Sequence, residues 1–145
     1  MNTLHFEIHS PDSEDITQVA SILSDGGVVA IPTETVYGLA GNALRGECVR
    51  KIYEAKGRPS DNPLIVHISD ISQWAPLVKS IPESAMALAE KFWPGPLTMI
   101  LPKSEKVPTC VTAGLSSVAV RCPSHVVARN LIKYCGLPIA APSAN

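Results

Sequence analysis

Apolar positions along the chain recur with two different periods, and the switching between them predicts the order of elements. Leu4, Phe6 and Ile8 alternate with polar neighbours, which predicts a half-buried first strand. Ile16, Val19, Ala20 and Leu23 then fall at helical spacing behind the capping candidates Asp12 and Ser13, and Gly26-Gly27 closes that helix. A short apolar run at 28–31 predicts a strand; Val49, Ile52 and Tyr53 mark a helix running into Lys56; the β-branched run 64–68 predicts another strand. Two helices follow, one near 71–78 and one over 82–92 with Ala85, Leu88, Ala89 and Phe92 on one face, and Pro94-Gly95-Pro96 cannot continue the second. Strands are expected at 97–101 and 118–121, a helix capped by Ser124 through Tyr134, and a last strand at 138–141. Strands alternating with helices predict a three-layer α/β fold with a mixed sheet.

The chain has 145 residues, a length that suits one domain. Twelve Lys and Arg stand against thirteen Asp and Glu, a formal charge of −1, so no overall positive field draws in a polyanion. Any nucleotide contact must come from a local cluster, for which Arg50, Lys51, Lys56 and Arg58 are the candidates. Cys48, Cys110, Cys122 and Cys135 show no C-x-x-C spacing and no His at metal-ligand distance in sequence, so no protein metal site is expected. The start lacks a basic segment followed by an apolar one, and no apolar run approaches the ~20 residues that cross a bilayer. Free thiols in a cytoplasmic protein without membrane attachment are therefore expected.

Chemistry concentrates in stretches that break regular structure. In P-T-E-T-V-Y-G-L from Pro32, an extended backbone would place the hydroxyls of Thr33, Thr35 and Tyr37 on one face, suited to the ammonium and carboxylate of an amino acid; a turn with capping threonines is the alternative. In K-G-R-P-S-D-N-P-L from Lys56, two prolines stiffen a loop that gathers Lys56, Arg58 and Asn62, a set able to orient phosphates; a basic helix end favoured by the helix dipole is the plainer reading. His67 sits inside an apolar run, where a lone His is more often a core residue than a catalyst. W-P-G-P-L-T from Trp93 stops a helix and carries Thr98 as a weaker candidate. Ser116-Ser117 leads into a strand ending on Arg121, whose charge needs a partner if buried: a substrate carboxylate or one of the chain's own acidic side chains. In A-P-S-A-N at the end, Ser143 and Asn145 share a face if extended, or cap a following helix.

These four motifs together, in order over residues 16–145, resemble the L-threonylcarbamoyladenylate synthase family, the YrdC/YciO-like proteins. The resemblance implies a three-layer YrdC/RibB-like fold with a twisted mixed sheet, of which this chain would be the N-terminal part of a longer domain. It implies threonine contacts from Thr33, Thr35, His67, Arg121 and the backbone at Ala141. It implies ATP contacts from Lys56, Arg58, Asn62, Ser117, Ser143 and Asn145, with Lys56 and Arg58 as the catalytic pair. The implied reaction joins L-threonine, bicarbonate and ATP to L-threonylcarbamoyladenylate, with Mg²⁺ accompanying ATP, for transfer to tRNA by further proteins. Two rivals are a carbamoyl-adenylate-forming domain of the hydrogenase-maturation type and a non-catalytic RNA-binding module of the same fold.

Overall fold

The structure is a computed structural model that describes residues 3–8, 14–57 and 62–143. Its elements are α1 (Glu14–Ser24), β1 (Val29–Ile31), β2 (Gly38–Asn42), α2 (Gly46–Lys56), β3 (Ile65–His67), α3 (Glu83–Phe92), β4 (Thr98–Pro102), β5 (Ser117–Arg121), α4 (Val126–Cys135) and β6 (Ile139–Ala140). One six-stranded sheet runs in the order β1-β2-β6-β3-β5-β4. Only β3 and β5 pair in parallel; the other ladders are antiparallel, so the sheet is mixed as expected.

Two apolar clusters lie on opposite faces of that sheet because side chains along a strand alternate sides. One joins Ile16, Val19, Ala20 and Leu23 of α1 to Ala128, Leu131 and Ile132 of α4 over Ile31, Ala40 and Ile139. The other packs Val49 and Ile52 of α2, Ala85 and Ala89 of α3, Trp74 and Trp93 over Val66, Val118 and Val120. Helix, sheet and helix thus make three layers. Within β3 and β5, alternation turns His67 and Arg121 away from the Trp74 face and toward the α1/α4 face.

Several expectations need correction. No strand forms at residues 3–8; Leu4 is 70% exposed, while Phe6 and Ile8 pack on the α1/α4 cluster without a ladder partner. The helix expected near 71–78 is two single 3₁₀ turns, Ile71–Gln73 and Ala75–Leu77, since Pro76 has no N–H to extend an α ladder. On α3, Leu88 and Phe92 are about half exposed, and the buried stripe is only Ala85 and Ala89. Strand β2 was not expected: G-L-A-G-N has little strand propensity, yet it forms because β1 and β6 hydrogen-bond to it from either side. The capping candidates Asp12 and Ser13 lie outside the described residues. At α4 the cap is His125, whose Nδ1 accepts from the Val127 amide at 3.2 Å, and not Ser124.

Candidate functional site

The chain leaves β1 at Ile31 and turns at once, so Pro32-Thr33-Glu34-Thr35 forms a compact loop. Thr33 Oγ1 donates to the Val36 carbonyl at 2.5 Å and accepts from the amides of Thr35 and Val36, each at 3.2 Å. This is a hydroxyl-stabilised turn, so the extended backbone expected for the motif is replaced. The turn brings the hydroxyl oxygens of Thr33 and Thr35 to 3.1 Å from each other and sends Tyr37 outward, 60% exposed. Two of the three hydroxyls therefore converge, and Tyr37 does not join them.

Those hydroxyls face a cavity of about 250 Å³ walled by Thr33, Thr35, Gly38, Arg121, Ala141 and Ser143, with Pro63, Leu64 and Ile65 on the β3 side. Its walls come from four separate parts of the chain because β1, β2, β6, β3 and β5 are neighbours in the sheet. The last segment is tied in by the backbone: the Leu39 amide donates to Pro142 O at 2.8 Å, the Ala141 amide to Ile65 O at 3.2 Å, and Gly38 pairs with Ser143. A Cβ at Gly38 would stand 3.2 Å from the Ala141 Cβ, so the residue type there permits the close approach.

Arg121 is buried, 8% exposed, at the end of β5. Burial pulls its guanidinium below the ordinary value, and the opposing charge is supplied within the chain, by an ion pair to the Glu34 carboxylate. Its Nε donates to Gly95 O at 3.4 Å. Gly95 is held there by its own amide, which donates to Cys122 O at 2.8 Å, so the W-P-G-P stretch buttresses Arg121 from behind. Of the two partners open to Arg121 from sequence, the structure shows an acidic side chain in place and also sets Arg121 on the cavity wall.

His67 is the register partner of Arg121 on the adjacent strand but lies behind the wall, 3% exposed, with Nδ1 donating to Ile65 O at 3.2 Å. Burial lowers its pKa from 6.5 to about 4, so the ring is neutral at pH 7. Lys56 ends α2, half-buried, and does not reach the wall; Asn62 is exposed and its carbonyl accepts from the Tyr53 hydroxyl at 2.8 Å. Ser117 opens β5 four residues before Arg121, about 13 Å away at ordinary strand rise, and lies outside the cavity, as does Thr98. Arg58 and Asn145 lie outside the described residues. Five named candidates thus share one cavity: Thr33, Thr35, Arg121, Ala141 and Ser143. An extended motif puts Glu34 on the face opposite the threonines, so spacing does not point to it; the signal that does is the charge of Arg121 itself, which demands a carboxylate.

Among the described residues, no group of three or more His, Cys, Asp or Glu could hold a metal ion, and no helix is long and apolar enough to cross a membrane.

Comparison with known proteins matches residues 21–145 to the Sua5/YciO/YrdC family, described as telomere recombination. Threonylcarbamoyl-AMP synthase of Pyrococcus abyssi is 58% identical over 126 residues, covering 87% of this chain and 37% of that protein. Threonylcarbamoyl-AMP synthase of Bacillus subtilis is 58% identical over 137 residues, covering 94% of this chain and 40% of that protein. The crystal structure of P. abyssi Sua5 complexed with L-threonine superposes with a TM-score of 0.91 at 54% identity, over 96% of this chain and 40% of that one. The chain therefore spans about two fifths of the length of these relatives.

Proposed function

Since the chain belongs to the Sua5/YciO/YrdC family, we propose that it carries the threonine site of a threonylcarbamoyl-AMP synthase. The observation that supports this best is the convergence of Thr33, Thr35, Arg121, Ala141 and Ser143 on one cavity of about 250 Å³. That volume lies below the ~300–1,000 Å³ common for drug-sized ligands, which suits an amino acid better than a nucleoside triphosphate. The Thr35 hydroxyl and the Arg121 guanidinium on one cavity wall match an α-amino acid with its own hydroxyl. The relative crystallised with L-threonine adds weight to the same reading.

ATP then lies outside the cavity, on the side of Ser143, with phosphates toward Lys56, Arg58 and Asn62 and further contacts from Ser117 and Asn145. In the proposed reaction threonine's amine takes up CO₂ from bicarbonate to give a carbamate and water. A carbamate oxygen attacks the α-phosphorus of ATP, the bond to the β-phosphate oxygen breaks, and pyrophosphate leaves. The product is L-threonylcarbamoyladenylate. Such a step depends on bringing several anions together, so Lys56 and Arg58 act by neutralising phosphate charge rather than by moving protons. His67, neutral and buried at the back of the wall, supports the threonine side as the register partner of Arg121 on the adjacent strand β3. Mg²⁺ bound with ATP would supply further neutralisation of phosphate charge. Delivery of the product to a tRNA adenosine by partner proteins, in the cytoplasm, belongs to the same proposal.

The test is ATP-dependent pyrophosphate release with bicarbonate, with threonine present or omitted, and with carbamoyl phosphate in its place. Release that requires threonine is expected. Release with carbamoyl phosphate alone would favour the hydrogenase-maturation type of chemistry, and RNA binding without any release would favour a non-catalytic module.

A further inference from the structure

The Glu34 carboxylate, between two threonines of the cavity wall, links segments distant in sequence. Its Oε1 faces Arg121 Nη2 in the ion pair. Its Oε2 accepts from the Ser124 amide at 2.7 Å, the Ser124 hydroxyl at 2.8 Å and the His125 amide at 3.1 Å. Three hydrogen bonds and one ion pair, all from groups some ninety residues away in sequence, converge on one carboxylate whose side chain is 21% exposed. Its neighbours on both sides, Thr33 and Thr35, are the residues whose hydroxyls face the cavity.

We propose that Glu34 is a positioning residue for substrate: it clasps the Thr33–Thr35 turn to Arg121 and to Ser124 and His125, the two residues that lead into α4. The clasp sets the separation between hydroxyls and guanidinium across the cavity. It acts in three ways. It supplies an opposing charge to a buried guanidinium that would otherwise face the cavity uncompensated. It holds the guanidinium jointly with Gly95 O, which accepts from Nε, while Arg121 stays on the cavity wall. It also accepts from the amides of Ser124 and the N-cap His125, so the turn is anchored where the chain enters the ten-residue helix α4. An opposite arrangement, in which Glu34 blocks Arg121 and substrate must displace it, predicts the reverse sign in the experiment below.

The substrate named here rests on the threonine reading above. The experiment compares the wild-type chain with Glu34→Ala and Glu34→Gln, measuring threonine and ATP affinities by calorimetry and exchange of the Ser124 and His125 amides by NMR. Glu34→Ala is expected to weaken threonine binding about tenfold or more, because the Thr33–Thr35 turn and the Arg121 guanidinium are no longer held in register, with ATP affinity little changed. Added formate, which fits the vacated carboxylate position, should restore part of the lost threonine affinity. Glu34→Gln, which keeps an acceptor for α4 but no charge for Arg121, should preserve amide protection while still weakening threonine binding, and it keeps the test in a folded chain if the alanine variant misfolds. Threonine binding equal to or tighter than wild type in either variant overturns the proposal and supports the blocking arrangement. Undiminished protection of both amides in Glu34→Ala overturns the clasp. A wild-type chain that does not bind threonine sinks the substrate reading, and the exchange measurement then decides the clasp alone.

Discussion

The protonation of His67 makes the fold sensitive to mild acid, and the size of the effect follows from its burial. Its ring is 3% exposed, and its pKa falls from 6.5 to about 4 because burial penalises the imidazolium; the hydrogen bond to Ile65 O opposes this only in part. A histidine with a depressed native pKa takes up its proton on unfolding. The unfolded state therefore binds more protons between pH 6.5 and 4, and native stability falls as pH drops through that window. Integrating the linkage gives a loss of roughly 2 kcal/mol at pH 5 and roughly 3 kcal/mol once pH is below 4, with nothing lost above about pH 7. The assay is urea unfolding at pH 7 and pH 5 for the wild-type chain and for His67→Gln, whose amide can still donate to Ile65 O. With a urea slope of ~1–3 kcal/mol/M, the wild-type midpoint should fall by on the order of 1 M more than that of the variant. The variant cancels every other titrating group, so the difference belongs to His67. Parallel pH dependences in the two proteins would refute the reasoning, since a neutral buried ring cannot leave the pH profile unchanged when removed.

Three further outcomes follow from the packing. Gly95→Ala would set a Cβ 2.5 Å from the Phe92 carbonyl oxygen, so the segment that buttresses Arg121 must shift, at ~1–3 kcal/mol of stability in thermal or urea melts. Trp93→Phe should cost more than Trp74→Phe by ~1–3 kcal/mol in the same melts: Trp93 Nε1 donates to Leu97 O at 2.7 Å, whereas the buried Trp74 Nε1 has no partner among the described residues. Arg58→Ala should weaken ATP binding by ~1.5–3 kcal/mol in calorimetry and leave threonine binding almost unchanged, with Arg58→Lys restoring only part, because lysine lacks the planar fork.

Local rules in the chain sufficed for most elements and for the identity of the site-forming stretches. The helical spacing of Ile16, Val19, Ala20 and Leu23, the β-branched run into His67 and the punctuation of Pro94-Gly95-Pro96 all appear where they were expected, because periodicity and backbone restriction act within a few residues. The same holds for the motif residues as a set: Thr33, Thr35, Arg121, Ala141 and Ser143 are together in one wall. What tertiary structure alone decided depends on partners distant in sequence. β2 is a strand only because two neighbours supply its ladder, and residues 3–8 lack a ladder partner although their alternation is the stronger pattern. Whether Arg121 would meet a ligand or an acid of its own chain could not be read from a strand ending on a charge. The turn at Thr33 settled it by swinging Glu34 to the face from which Arg121 and the residues leading into α4 both offer donors. A buried charge dictates that a partner must exist; only the folded path of the chain dictates which one is within reach.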